Sequence, residues 1–152
     1  MSHGLSGTGL EYDGNGNHIL WWPSEMIHEY LKKAKCFVDQ FNNYNVSGTQ
    51  TLSENIADTA GLVAAYRAYR KKMKKGRKGQ SLPGLETLDS NKLFFISFSM
   101  TFCHTATSQI SALDETDTHS KRSVRVNGAV ANVEGFNEAF KCNNVEKCTL
   151  WN

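Results

Sequence analysis

The sequence lacks a long apolar run. No stretch approaches the roughly 18 to 20 uncharged residues that a membrane-spanning helix requires, and the chain contains neither an internal repeat nor a low-complexity segment. These absences exclude a transmembrane helix within these residues and a repeat architecture. The 152 residues are 39% hydrophobic, which is enough apolar material for the core of one globular domain.

Cysteine is scarce, and its spacing does not suit a structural zinc site. Cys142 and Cys148 are separated by five residues, and Cys36 and Cys103 lie far from them, whereas structural zinc sites use closer pairs. Four cysteines allow three complete disulfide pairings, and the sequence does not choose among them. An Asn-Val-Ser triplet at Asn45 matches the N-glycosylation pattern. Together these features indicate an oxidising, secretory compartment.

Acidic residues are missing from positions 67–78, although the formal charge of the chain is only +2. Eight of those twelve positions are lysine or arginine. A run of this kind is most often the solvated end of a helix that leads into a loop. The alternative is a binding site for a polyanion or a membrane surface.

Apolar residues recur at helical spacing over much of the chain. They predict helices at about 24–43 and 53–75. The apolar segment 91–111 is long enough to favour a helix over a strand, a short β-like run follows at 124–130, and spaced aromatic residues indicate a last short helix near 133–140. The predicted architecture is mainly α with little β-structure.

Two acids stand at the start of the second predicted helix. Glu54 and Asp58 are four residues apart, so they lie on one helix face. One interpretation is purely structural: carboxylates at this end of a helix interact favourably with the helix dipole. A chemical role is favoured instead by the residues around the pair, segment 51–69, and by His3 near the amino terminus, because both resemble motifs of a known family.

The segment Glu54-Asn55-Ile56-Ala57-Asp58 resembles the E-N-I-A-D signature of neprilysin and the endothelin-converting enzymes. Ser2-His3-Gly4 resembles the end of the companion H-E-x-x-H-G helix of that family. In the family, the Glu of the first motif and the second His of the other bind zinc.

The resemblance continues in order to the end of the chain. Residues 12–22 are similar to the family's Y-D-x-x-G-N and W-W segment, and residues 93–98 to its L-F-F-I-S-F helix. His119-Ser120 and residues 125–128 resemble H-S-P-x-x-F-R-V-N-G, and residues 148–151 resemble the closing C-x-V-W. Several motifs at compatible spacing make coincidence a poor explanation.

The resemblance implies a zinc metalloendopeptidase that hydrolyses peptide bonds in peptides, with one catalytic Zn²⁺. The implied fold is the helical carboxy-terminal part of a thermolysin-like (gluzincin) metallopeptidase domain, with residues 1–152 as the carboxy-terminal portion of one catalytic domain. His3 and Glu54 would be two zinc ligands, and Asp58 would orient the first His of the motif. That His and the catalytic Glu are expected directly before Met1, so the isolated chain is expected to be inactive.

Four further residues receive roles from the resemblance alone. His119 would donate a hydrogen bond to the oxyanion formed on the scissile carbonyl, and Arg125 would bind a substrate carbonyl beyond the cleaved bond. Thr101 and Phe102 would line the pocket for the residue that follows that bond. Taken by themselves, His119 and Arg125 are typical of surface residues.

The resemblance also assigns the cysteines, pairing Cys36 with Cys148. It gives Cys103 and Cys142 partners upstream of these residues. The protein would be extracellular or at the plasma membrane, either secreted or held by an upstream type II anchor.

Three positions depart from the family pattern. Ser6 stands where an Asp usually follows the second zinc His, Lys121 replaces the Pro after His-Ser, and Phe102 replaces the Trp before Cys. None of these departures removes a zinc ligand, but they alter the surroundings of His3, the oxyanion loop and the substrate pocket.

Two other functions compete with the peptidase. One is a non-catalytic secreted binding or decoy protein whose basic segment 67–78 contacts acidic glycans or lipid head groups. The other is nucleic-acid binding, but the short run and the secretory features argue against it, so no nucleic-acid partner is expected.

Overall fold

The computed structural model describes residues 2–74, 82–142 and 147–150. Within them, two short 3₁₀ helices are followed by six α-helices: Ser2–Leu5, Gly7–Glu11, α1 (Ser24–Asn42), α2 (Leu52–Lys74), α3 (Ser90–Met100), α4 (Ser108–Leu113), α5 (Arg122–Ala131) and α6 (Glu134–Phe140). β-Structure in these ranges is limited to one isolated bridge between Tyr12 and His18. The predicted mainly α architecture is therefore correct.

Helix α1 follows its apolar pattern closely. Tyr30, Ala34, Phe37 and Phe41 recur every three or four residues and are all buried, as expected for an amphipathic helix that covers a core. Pro23 occupies the position before the first helical residue. The predicted range of 24–43 agrees with the observed helix within one residue.

Helix α2 is the central element and contacts α1, α5 and the first 3₁₀ helix. It has Glu54 in its first turn and three lysines in its last turn, an arrangement that the helix dipole favours at both ends. It begins one residue before the predicted start. The predicted end near Lys75, and the basic residues Lys75, Arg77 and Lys78, lie outside the described residues.

The single helix predicted for 91–111 is wrong, because the structure divides this segment into α3 and α4. The side chain of Asp89 accepts hydrogen bonds from two backbone amides at the start of α3. The chain leaves the helix after Met100, and Thr107 then caps the start of α4. The residues around Thr107 are mostly polar, and its capping side chain allows a second helix to begin.

The β-like run predicted at 124–130 is also wrong, because these residues lie in α5. Gly128, Ala129 and Val130 are buried there. A Cβ atom at Gly128 would clash with the ring of Phe41 on α1, so glycine permits a close approach of the two helices. Packing in the core overrides the local β preference of the valines.

Two clusters of buried residues form the core of the described parts of the chain. The first joins α1, the start of α2 and the carboxy-terminal segment, and includes Phe37, Phe41, Ile56 and Leu150. The second joins α2, α3 and α5 around Phe95, and includes Leu62, Tyr66, Ala129, Val130 and Val133. Because α2 contributes to both clusters, its position is fixed along most of its length.

A disulfide joins Cys36 on α1 to Cys148, the pairing that the resemblance implied. Cys148 is buried in the first core cluster. Cys103 and Cys142 are exposed free thiols. No helix in the described parts of the chain has the length and apolar character needed to cross a bilayer.

Replacing both Cys36 and Cys148 by alanine should lower the free energy of unfolding by about 3–5 kcal/mol, because the bond closes a long loop. The sequence separation of the two cysteines is 112. Urea denaturation without reductant measures the change. Replacing Cys103 and Cys142 by serine is the matched control, and an equal midpoint for the two double variants would contradict the prediction.

Gly128→Ala should destabilise the chain by about 1–3 kcal/mol, because the added methyl group forces the ring of Phe41 out of a packed position. Gly61→Ala is the control, since Gly61 is also helical but has open space around it and should gain about 0.5–1 kcal/mol. Thermal unfolding of the two variants measures whether each substitution lowers or raises the stability of the chain. A stabilising Gly128→Ala substitution would show that α1 and α5 are less closely packed than described.

Candidate active site at the start of the long helix

The first two turns of α2 present two carboxylates to one side of the molecule. Glu54 and Asp58 lie one turn apart, and their side chains are 20% and 16% exposed. Both side chains are therefore mostly buried, but part of each remains accessible to solvent. Three basic side chains from other segments approach them.

His3 is the first of these basic side chains. Its Nε2 atom lies 3.4 Å from Glu54 Oε2, and its side chain is 54% exposed. The segment that contains His3 is held against α2 by Ser6, which is fully buried, with its Oγ 3.2 Å from Ser53 Oγ. Ser6 therefore helps to place His3, although it is one of the three residues that depart from the family pattern.

His119 approaches the same carboxylate from the loop before α5. Its Nε2 atom lies 3.0 Å from Glu54 Oε2, and its Nδ1 atom lies 2.9 Å from Asp117 Oδ1. Both ring nitrogens thus face carboxylate oxygens, and a doubly protonated ring can donate a hydrogen bond to each. The structure brings His3 and His119 to one oxygen atom of Glu54.

Asp117 was missed by the sequence reasoning. Its Oδ1 atom accepts hydrogen bonds from the backbone amide of His119 at 2.8 Å and pairs with the imidazole. These bonds, the amide bond first, hold the pKa of Asp117 below its ordinary value. The Asp-x-His spacing was the available signal, because Asp side chains often accept from the amide two residues later.

Arg125 is the third basic group, and it pairs with Asp58. Its Nε donates to Asp58 Oδ2 at 2.7 Å and its Nη2 donates to Asp58 Oδ1 at 2.9 Å. This two-pronged geometry is the strong form of an Arg–carboxylate contact. Hydrogen bonding to Asp58 raises the pKa of Arg125 above its usual value.

Phe102 and Thr101 occupy different surfaces. The Arg125 guanidinium carbon lies over the ring of Phe102, 5.1 Å from the ring centroid. Phe102 also lines a groove of about 820 Å³ beside α5. Thr101 donates its hydroxyl to the carbonyl of Phe98 at 2.7 Å and lines a separate apolar groove of about 690 Å³ between α2 and α3. Phe102 is therefore next to the Arg125 site, and Thr101 faces another groove.

Asn55 and Ser120 form a further pair that the sequence reasoning did not select. Ser120 Oγ donates to Asn55 Oδ1 at 2.8 Å, and the bond is buried. Each residue directly follows a member of the site, Glu54 in one case and His119 in the other. A contact between residues so distant in sequence leaves no local signal.

The chemistry and spacing of His3 and Glu54 suit a zinc ion. Two donors about 2.0–2.1 Å from a tetrahedral zinc lie about 3.3 Å apart, and His3 Nε2 and Glu54 Oε2 are 3.4 Å apart. Within the described residues, however, no group of three or more His, Cys, Asp or Glu side chains could hold a metal. A third ligand would have to come from elsewhere.

Asn45, the predicted glycosylation site, lies in the turn after α1. It is exposed and has a positive φ of 57°, a backbone conformation that Asn tolerates better than most residues. A glycan attached there would extend into solvent.

The model of Peptidase family M13 matches residues 1–150. The chain is 38% identical over 163 residues to an endothelin-converting enzyme homolog of Locusta migratoria and 39% identical over 163 residues to endothelin-converting enzyme 1 of Rattus norvegicus. These alignments cover 99% of this chain but only 22% and 21% of the relatives. The chain thus spans about a fifth of the length of these curated relatives.

Solved structures agree. The chain superimposes with a TM-score of 0.84 on the zinc metalloprotease ZMP1 of Mycobacterium tuberculosis in complex with an inhibitor, at 25% identity, covering 99% of this chain and 26% of that one. A Haemonchus galactose-containing glycoprotein complex gives a TM-score of 0.85 at 30% identity, with 99% and 27% covered. The helices described above are therefore the helical part of a zinc metallopeptidase fold, and the chain belongs to Peptidase family M13.

Proposed function

We propose that this chain is the carboxy-terminal part of the catalytic domain of a zinc metalloendopeptidase that hydrolyses peptides. The main support is the convergence of His3 and His119 on Glu54 Oε2, at 3.4 and 3.0 Å. These three residues come from a 3₁₀ helix, a loop and a long helix that are far apart in sequence. Charged side chains that only keep a protein soluble are usually spread over its surface, whereas these three side chains converge on one atom.

In the proposed enzyme, His3 and Glu54 hold the zinc ion with a third ligand from outside these residues. Zinc, when bound, lowers the pKa of a water molecule and polarises a substrate carbonyl. Asp58 orients the third ligand as an outer carboxylate. Its bonds to Arg125 do not prevent this, because a carboxylate offers about four lone-pair sites.

His119 and Arg125 act on the substrate. The Nε2–H of His119 is placed beside Glu54 and can donate to the oxyanion that forms on a carbonyl there. Asp117 holds the other ring nitrogen, which keeps the ring in one orientation. Arg125 is fixed by Asp58 and stays cationic, so it can donate to a substrate carbonyl without reorganising.

Phe102 provides the apolar surface next to Arg125 for the residue that follows the cleaved bond. Thr101 remains a sequence prediction for this pocket, because the groove that it lines lies between α2 and α3. The two residues are adjacent in the chain but line different grooves, so the contribution of Phe102 should be the larger one.

The same proposal places the enzyme outside the cell or at the plasma membrane. The disulfide between Cys36 and Cys148 supports an oxidising compartment. The exposed position of Asn45 in a turn is compatible with N-glycosylation.

Turnover should appear when this chain replaces the matching segment of rat endothelin-converting enzyme 1, which supplies the remaining residues. Glu54→Gln in that chimera should remove zinc and reduce turnover of a fluorogenic peptide by more than about 100-fold, since losing even an outer partner of a metal ligand costs 10–100-fold. Glu25→Gln is the matched control, because Glu25 also lies in the first turn of a long helix but is exposed. A folded, zinc-loaded chimera without activity would refute the proposal.

The isolated 152-residue chain should bind zinc weakly and cleave no peptide, since two donors hold the metal poorly and the catalytic carboxylate is expected upstream. Calorimetry should detect weak binding that His3→Ala abolishes and that His28→Ala, a change at an exposed histidine of α1, leaves intact. Peptide turnover by the isolated chain that Glu54→Ala eliminates would mean that its catalytic site is complete.

A second candidate function is the binding of a polyanion such as a sulfated glycan. Among the described residues, those lining a groove of about 1040 Å³ beside the second half of α2 include five cationic side chains and two acidic ones, Glu134 and Glu138. The cationic residues are Arg67, Arg70, Lys71, Lys74 and Lys147. This excess of positive charge around a concave surface favours an anionic ligand.

Retention on a heparin column should fall when Lys71, Lys72, Lys74 and Lys75 are replaced by glutamine, and it should decrease with salt. Within this set, Lys71 and Lys74 line the groove whereas Lys72 does not. The pair Lys71→Gln and Lys74→Gln should therefore lower the eluting salt concentration more than the pair Lys72→Gln and Lys32→Gln. Equal shifts for the two pairs would indicate non-specific attraction and contradict a groove site.

A further inference from the structure

Asn55 has the most buried polar side chain at the start of α2, with an exposure of 1%. Its Oδ1 atom accepts from Ser120 Oγ at 2.8 Å, and its Nδ2 atom donates to Thr51 Oγ1 at 2.7 Å. Thr51 in turn donates to the carbonyl of Ser47 at 2.9 Å. Donors and acceptors alternate along this series of hydrogen bonds, which fixes the orientation of the Asn55 amide group.

The geometry couples two pairs of adjacent residues. Glu54 meets His119 at 3.0 Å, and Asn55 meets Ser120 at 2.8 Å. Successive helical side chains point about 100° apart, so Glu54 faces the site while Asn55 points inward. The outer contact joins charged or partly exposed groups, whereas the inner contact is neutral and buried.

We propose that Asn55 is a positioning residue, which holds the loop of His119 against α2 through its hydrogen bond to Ser120. We call this bond the tether. The proposal rests on the proposed function for the role of His119, but the tether itself concerns only residues of this chain. The side chain of Asn55 is buried and acts through the hydroxyl group of Ser120.

A second, weaker contact supports the same loop. Gln50 Nε2 donates to the carbonyl of Asp117 at 2.8 Å, but this bond is exposed. Water can replace an exposed partner, whereas a buried acceptor that loses its donor remains unsatisfied. The tether should therefore determine the position of the loop, and Gln50 should contribute less.

The test uses the full 152-residue chain and NMR, so it does not depend on peptidase activity. Ser120→Ala removes one hydroxyl group and is expected to weaken the nuclear Overhauser contact between the Cε1 proton of His119 and the Cγ protons of Glu54. Hydrogen exchange at the His119 amide, which is bonded to Asp117, should accelerate about tenfold. Amides in α1 and α5 should keep their rates.

Two comparisons make the result decisive. Ser123→Ala, at an exposed serine of the next helix, should change neither signal, and Gln50→Ala should change them less than Ser120→Ala. Combining Asn55→Ala with Ser120→Ala should add nothing further at His119, because both remove the same bond.

An unchanged contact and unchanged exchange in Ser120→Ala would overturn the proposal. Uniform acceleration of all amides would also overturn it, since that result indicates a role in global stability alone. Additive effects of Asn55→Ala and Ser120→Ala would show that the two residues act separately. Failure of the chimera to cleave peptides would refute the proposed function and leave the NMR result to decide the tether.

Discussion

Helix α2 must serve the core and the candidate site at the same time, and the rest of the structure depends on this constraint. Ile56, Leu62 and Tyr66 enter the two core clusters, whereas Glu54 and Asp58 face the basic side chains of other segments. A rotation of the helix that exposed the core residues would also separate the carboxylates from their partners. Core packing thereby fixes the direction of the carboxylates.

Sequence periodicity predicted the elements whose burial is regular. Helices α1 and α2 bury residues at spacings of three or four over about three turns, so their ranges could be read closely from the sequence. The segment 91–111 was misread because its length favoured one helix, although its apolar run stops before Thr107, the residue that caps a new helix. Helix α5 was missed since its valines favour a strand locally, whereas its packing depends on tertiary contacts such as that of Gly128 with Phe41.

The candidate site was predictable to a different extent. The spacing of Glu54 and Asp58 placed both on one helix face, but the partners of that face are set by tertiary contacts. His119 and Arg125 could be selected only through the family resemblance, which says nothing about the bonds they make here. The pairing of Arg125 with Asp58 spans 67 positions, and no local pattern encodes such a contact.

The polar contacts around α2 divide into two kinds, and this division follows from solvent exposure. Glu54 interacts with two partly exposed imidazoles, whose contacts can be exchanged at little cost because water can replace them. Asn55, one residue further, makes neutral bonds that are buried and costly to lose. In the proposed enzyme, Glu54 can therefore exchange these contacts for a zinc ion, while Asn55 retains its buried hydrogen bonds. Adjacent positions on one helix thus separate contacts that water can replace from contacts that are buried.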